Sequence, residues 1–403
     1  MSKGFFSSAQ VRSVDHTARA ARCGLCGQFK KCKNPKIQPS GKGKKKILVV
    51  GTAPSQKEDQ LQEHFIGKSG QLLRYHFRKL KSNLDIDCIK TFALICGRQA
   101  DEDPSDEQLF ACRPNLIKTI NEYDPNIIIP LGSVATKAVI SIAWKENTGN
   151  AIRWFGQVIP CQKLNVWIIP TFHPISIIKD KNKVTEKMFS EHLKIALSKV
   201  GSRPWDIVPD YSKQVQIIHR PSKAAKIIRA MIDKGGKIAF DYETNCLKPE
   251  YPKSEIVSCS ICFQGKKTIA YPWKNEAIDA TSEILKTKMP KIAANLKFEE
   301  RWTRNKLGHR VRSWWWDTMQ AAHILDNRPA TTGLKFQAFV QMGCPDYDDH
   351  IKPFLQKCNN LLNRIKELDI NDLLLYNGID SILEYNLAMI QIKKIKKMQK
   401  IFK

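Results

Sequence analysis

The stretch Phe240-Asp241-Tyr242-Glu243-Thr244-Asn245 decides how the second half of the chain is read. It continues the apolar run Ile238-Ala239-Phe240. In an extended strand residues i and i+2 share a face, so Asp241 and Glu243 project together. Two carboxylates that close raise each other's pKa unless a cation lies between them. Hard oxygen ligands of this kind suit Mg²⁺ or Mn²⁺. A strand end with two solvated acids is the simpler reading of these six residues alone, and it is the chain downstream that favours the metal.

Around that strand the pattern is α/β. Residues 214–218 read as a strand, and residues 222–234 as an amphipathic helix stopped by Gly235-Gly236. Residues 256–263 and 267–271 read as two further strands joined through Gln264-Gly265. Cys259 and Cys262 form a C-x-x-C inside one of these strands, where they face opposite sides, so they are core or edge thiols and not a metal pair. Asn295-Leu296-Lys297-Phe298-Glu299-Glu300 follows, then Trp316-Asp317-Thr318-Met319, and finally Tyr376 and Asp380, four apart on one helical face.

In this order the elements resemble the DEDD superfamily of 3′–5′ exonucleases, in the tyrosine-bearing branch found as the proofreading domain of DNA polymerase I. The resemblance covers most of residues 214–395, including the Leu334-Lys335 element. It implies a ribonuclease-H-like mixed-sheet domain and hydrolysis of phosphodiesters with two Mg²⁺ or Mn²⁺ ions. It assigns Asp241, Glu243 and Asp380 as metal ligands and Tyr376 as the group that orients the attacking water. Glu299 stands at the family's remaining aspartate, one methylene longer, while Glu300 points elsewhere.

The first half alternates buried strands with helices, which predicts a largely parallel sheet covered on both faces. Residues 47–50, 91–95, 126–132 and 166–170 are the strand candidates. Gly67-Lys68-Ser69 lacks the first glycine of a P-loop, so it is not read as a nucleotide site. Cys23-Gly24-Leu25-Cys26, the turn 51–55 with Glu58-Asp59 after it, Phe65-Ile66-Gly67-Lys68-Ser69-Gly70-Gln71-Leu72-Leu73, Cys96 and Cys112 with fifteen residues between them, and His173-Pro174 occur in that order. Over residues 20–200 they resemble the family-four iron–sulfur uracil-DNA glycosylases, which implies an α/β/α sandwich. Cys23, Cys26, Cys96 and Cys112 match the positions that hold a [4Fe-4S] cluster. Four thiolates also satisfy tetrahedral zinc, and the resemblance favours iron–sulfur. Cys32, Cys88 and Cys161 are read as ordinary buried thiols.

A glycosylase must stack a flipped uracil on an aromatic face, read its edge with amide groups and place a donor near O2. Phe65 fits the first role and His173 the last. The sequence departs from the family at two points: Thr52 replaces its acid, and Phe92 replaces its uracil-reading asparagine. A phenyl ring makes no bidentate hydrogen bond, so weak or no uracil excision is expected.

The chain of 403 residues has a formal net charge of +27, which points to a polyanionic partner, and a nucleic acid fits better than a membrane surface. It holds no apolar run of membrane-spanning length, and its first twenty residues lack the apolar centre of a secretory signal. The twelve cysteines have no secreted disulfide spacing, so a cytoplasmic setting is expected, bacterial or in a virus-infected host. The basic end, residues 393–397, reads as a solvated helix end. The resulting expectation is a glycosylase-like iron–sulfur domain (1–200), a linker (201–213) and an exonuclease domain (214–403) acting on single strands or 3′ ends. A separately encoded DNA polymerase is the expected partner. The alternatives are a bifunctional glycosylase–exonuclease and a non-catalytic polymerase accessory subunit.

Overall fold

The structure is a computed structural model that describes residues 21–98, 103–145, 147–356 and 362–401; the N-terminal stretch read for a secretion signal lies outside the described residues. These residues form two compact units. One runs to Val208 and takes in Phe339–Pro345; the other comprises Pro209–Ala338 and the residues from Asp346 onward. Assignment of 339–345 to the first unit departs from the boundaries read in the sequence. Within that unit the ring of Phe339 stacks on Trp144 at 5.3 Å, and Gln162 donates its backbone N–H to the Gly343 carbonyl (3.0 Å). No helix among the described residues is long and apolar enough to cross a membrane.

The first unit is built on strands β1 (Ile47–Gly51), β2 (Cys88–Phe92), β3 (Ile127–Pro130), β4 (Ile159–Cys161) and β5 (Val166–Ile168), in spatial order β2-β1-β3-β5-β4. All neighbours are parallel except β4, which runs antiparallel to β5 at the edge. Residues 47–50 are at most 1% exposed. A parallel strand covered on both faces needs an unbroken apolar run, and each such side chain contributes about 1.5–3 kcal/mol on burial. Ile47 and Val49 share a core with Leu73 and Phe77 of helix Lys68–Lys79 and with Phe189 and Leu193 of helix Lys183–Leu197. The second strand is three residues earlier than the expected 91–95. Lys90 looks like a strand boundary in the sequence, yet it is buried because its ammonium pairs with Asp85.

The second unit holds a mixed six-stranded sheet. Its strands are β6 (Val215–Ile217), β7 (Ile238–Thr244), β8 (Ile256–Phe263), β9 (Lys267–Pro272), β10 (Lys291–Ala293) and β11 (Trp314–Asp317), in order β11-β10-β7-β8-β9-β6. β7, β8 and β9 form an antiparallel meander, while β10, β11 and β6 join in parallel. The two-residue period of β7 sorts its side chains. Phe240 and Tyr242 enter the main apolar core with Ile261, Tyr271 and Trp302, which leaves Asp241 and Glu243 to the other face. Helix Ile370–Ile401 packs against the sheet. A Cβ on Gly378 would lie 2.4 Å from Val215 Cγ1, so this approach requires glycine.

Candidate active site and a four-thiol cavity

The polar face of β7 is tied to the long helix by serines of its partner strand. Ser258 and Ser260, paired with Glu243 and Asp241 across the β7–β8 ladder, are fully buried. Ser258 Oγ donates to Asn377 Oδ1 (3.1 Å), and Ser260 Oγ donates to the Asn377 carbonyl (2.7 Å). Asn377 Nδ2 donates in turn to Asp241 Oδ2 (2.6 Å). This clamp fixes the helix so that Asp380, three residues on, reaches the strand acids. Asp241, Glu243 and Asp380 offer oxygens that all lie within 4.8 Å of one another.

Electrostatically this cluster favours a cation. Burial, with the charge of Asp380 second, pushes Asp241 up to about 8. Burial and Asp241 push Glu243 well above the carboxylate range. A divalent ion would reverse both effects, and the donor set of hard oxygens fits Mg²⁺ or Mn²⁺. The Lys335 ammonium pairs with Asp380, lies 2.7 Å from the Tyr347 hydroxyl, and sits over the rings of Tyr347 and Tyr376 at 4.2 and 4.3 Å. Tyr347 O–H also donates to Asp380. Tyr376 is buried, and burial, reinforced by Asp380, raises its phenol well above the usual value. At neutral pH it is therefore an O–H donor.

Glu299 is 2% exposed on helix Leu296–Leu307 and stands outside the group of three. Burial and the Asp241 charge raise it well above the carboxylate range. Glu300 turns away, accepting from Arg304, Trp314 Nε1 and the Val311 N–H. Cys259 and Cys262 are both fully buried in the sheet. A second acidic group, Asp346, Asp348 and Asp349, is already neutralised in part by Lys352, whose Nζ lies 2.7–2.9 Å from all three. The sequence reading gave no role to Asn377, Lys335, Tyr347 or Glu384. Only Glu384 left a local signal, as it extends the four-residue spacing of Tyr376 and Asp380 by one turn.

In the first unit Cys23, Cys26, Cys96 and Cys112 line one small cavity, closed by Phe29, Leu94, Ile95 and Ala111. The Lys36 N–H donates to Cys96 Sγ and Asn115 Nδ2 donates to Cys112 Sγ, both at 3.4 Å. Four cysteines lining one cavity, an apolar wall and N–H donors to sulfur fit a four-thiolate cofactor. Burial pushes Cys96 up to about 12 and also raises Cys112, so a cation is needed to hold them as thiolates. Asp59 accepts from the backbone N–H groups of Lys33 (2.7 Å) and Asn34 (2.9 Å), anchoring the loop after the first cysteine pair. Glu58 caps its own helix through Ser55. Cys88 and Cys161 are buried, but Cys32 is half-buried and its thiol donates to the Phe29 carbonyl (3.5 Å), which corrects its reading as a buried core thiol.

The glycosylase-like pocket is packed by its own rings. Phe65 takes a left-handed backbone (φ 57°), its carbonyl held by Arg74 and backed by Gly70, where a Cβ would lie 1.7 Å from it. Its ring is 5% exposed and meets Phe92 at 5.3 Å. Phe92, 2% exposed, is stacked on the imidazole of His64 at 4.8 Å and 11°. The face that the sequence assigns to a flipped base is therefore largely covered. Thr52 is half-buried, with its carbonyl accepting from the Leu94 N–H. His173 Nδ1 accepts from the Ile175 N–H (3.1 Å), and burial, with Arg98 second, pulls its pKa down to about 4. A neutral ring whose Nδ1 accepts carries its proton on Nε2, which leaves that nitrogen as a donor.

Residues 39–197 match the family model of the uracil DNA glycosylase superfamily, and residues 215–344 match that of a 3′–5′ exonuclease. The type-4 uracil-DNA glycosylase of Sulfurisphaera tokodaii is 27% identical over 178 residues, 42% of this chain and 80% of that protein. The DNA polymerase of Bacillus phage SP01 is 23% identical over 348 residues; these make up 78% of this chain but 36% of the polymerase. Among solved structures, RNase D of Trypanosoma brucei aligns at 14% identity and a TM-score of 0.36 over 44% of this chain and 64% of that one, a likeness too slight to carry an argument.

Proposed function

Taking the chain as a uracil-DNA-glycosylase-superfamily domain joined to a 3′–5′ exonuclease domain, we propose that it is a metal-dependent 3′–5′ exonuclease that acts on DNA in replication proofreading or repair. The observation that carries this reading is the convergence of Asp241, Glu243 and Asp380 within 4.8 Å beside the buried phenol of Tyr376. Divalent cations bound there would lower the pKa of a water and stabilise the leaving 3′ oxygen. Asp241, Glu243 and Asp380 would hold the cations. Asn377 keeps Asp241 in place, and the Tyr376 hydroxyl, a donor at neutral pH, orients the water. Lys335 and Tyr347 fix Asp380.

Similarity to a phage DNA polymerase that spans most of this chain supports DNA as the substrate and action alongside a DNA polymerase. The surplus of 27 positive charges supports salt-sensitive binding of the strand, since phosphate contacts release counterions. In our reading residues 1–200, with 339–345 packed in the same unit, are a cluster-stabilised DNA-holding domain, 201–213 a linker and the rest of 214–403 the nuclease, at work in a bacterial or virus-infected cytoplasm. Cys23, Cys26, Cys96 and Cys112 would hold the [4Fe-4S] cluster, which supplies cross-linking stability to that domain. The test is a 5′-labelled oligonucleotide with Mg²⁺. Wild type shortens it from the 3′ end, and Asp241→Ala reduces the rate by more than about 10²-fold, beyond the range seen for outer-shell metal partners. Failure of the wild type with both Mg²⁺ and Mn²⁺ removes the proposal.

A further inference from the structure

Glu384 lies one helical turn beyond Asp380, on the face of helix Ile370–Ile401 that carries Tyr376 and Asp380. It is 0% exposed. Its Oε1 accepts from the N–H of Ala294, the residue after β10 (3.0 Å), while its Oε2 has no hydrogen-bond partner. Glu299 repeats the pattern from the opposite element, buried and with Oε2 unpartnered. The Asp241 carboxylate is near enough to act on both, and Glu299 acts on Glu384. Leaving a buried polar atom unpaired costs about 1–3 kcal/mol, more for a charged one. Two such oxygens beside one carboxylate cluster therefore need a compensating cation. The bond to Ala294 does not by itself require an acid, because the carbonyl of a glutamine side chain would accept it equally.

Charge makes the same demand. In ionised form Asp241, Glu243, Asp380, Glu299 and Glu384 are five carboxylates, and Lys335 is the ammonium that the ion pairs place among them. One ammonium leaves most of that negative charge uncompensated, which favours divalent ions. Glu299 and Glu384 stand outside the group whose oxygens lie within 4.8 Å, so a direct bridge to it is too short. Mg²⁺ keeps several of its waters, and a hydrated ion spans the longer gap.

We propose that Glu384 helps to hold, through water, the second of the two cations that the exonuclease reading implies, beside Asp241 and Glu299, making Glu384 a positioning residue of that site. This rests on the exonuclease reading above. Its test is Mn²⁺ binding by the full chain, followed by electron paramagnetic resonance of the free ion, for wild type, Glu384→Gln and Asp241→Ala. Wild type should take up two Mn²⁺ at the centre. Glu384→Gln should weaken one of them by about 10–100-fold, the range for outer-shell partners, and leave the other unchanged. Titration of Glu384→Gln identical to wild type overturns the inference alone. A wild type that binds no more Mn²⁺ than Asp241→Ala overturns the exonuclease reading with it. Thermal midpoints guard against misfolding. Removing a repelling buried charge should raise the Glu384→Gln midpoint in EDTA and shrink its gain on adding Mn²⁺. A lower midpoint in EDTA, or an unfolded variant, makes Glu384 a structural residue and overturns the inference.

Discussion

The acidic centre of the second unit and the aromatic pocket of the first are opposite outcomes of burial. Around Asp241 the fold buries carboxylates that repel one another, an arrangement that costs stability until cations arrive. Around Phe65 it buries Phe92 and stacks His64 on it, which stabilises the fold by itself and leaves little for a ligand to gain. A site poised for chemistry is recognisable by polar atoms the fold has not satisfied. A site that the fold fills by itself is recognisable by rings that have closed over it.

The contrast breaks most violently at the four-thiol cavity, which separates a folding role from a catalytic one inside the first unit. Cys96→Ala should abolish a brown chromophore of about four irons per chain and destabilise that unit by several kcal/mol, whereas Cys161→Ala should keep the iron and cost about 1 kcal/mol. Iron analysis with thermal melting distinguishes the two, and stoichiometric zinc in colourless protein would replace the cluster assignment. Next in size is the aromatic stack. Phe92→Ala should cost about 3–5 kcal/mol, as for other fully packed rings, measured by urea unfolding. A cost under about 1 kcal/mol would mean that the pocket is open rather than filled.

The smallest effect sharpens the acidic side of the comparison. Asp241 is raised from 3.8 to about 8 in the fold, and Glu243, Glu299 and Glu384 are raised as well. A raised carboxyl favours the folded state only while protonated, so its contribution is complete below the unfolded pKa and is lost as pH rises through the folded one. In EDTA the second unit should therefore lose stability between about pH 4 and about pH 8, and Mg²⁺ should flatten that loss. Thermal midpoints at a series of pH values, with and without the ion, measure it. A flat profile in EDTA would show that the acids are not strained.

Local pattern carried much of this into the sequence. The i, i+2 spacing of Asp241 and Glu243 and the four-residue spacing of Tyr376 and Asp380 are periodicities of one strand and one helix. The apolar runs of β1, β3, β7, β8 and β9 are equally local. What was not legible depends on residues distant in the chain. Lys335 and Tyr347 meet Asp380 across 45 and 33 positions, and Asn377 reaches Asp241 across 136. Strand β2 was shifted because the charge of Lys90 hid its burial beside Asp85, and β4, three residues with a proline at its centre, gave no strand signal. The substitution at Phe92 was visible, but its stacking partner His64 follows from the left-handed turn at Phe65, which no spacing rule reports.

The central claim is that the acids act and the aromatic pocket does not. It is tested by one 5′-labelled oligonucleotide with a single internal uracil, incubated with the full chain in Mg²⁺ and in EDTA and then treated with alkali. The account predicts a ladder shortened from the 3′ end in Mg²⁺, and an intact strand without a break at uracil in EDTA. An alkali-labile break at uracil in EDTA, with no ladder in Mg²⁺, would contradict it.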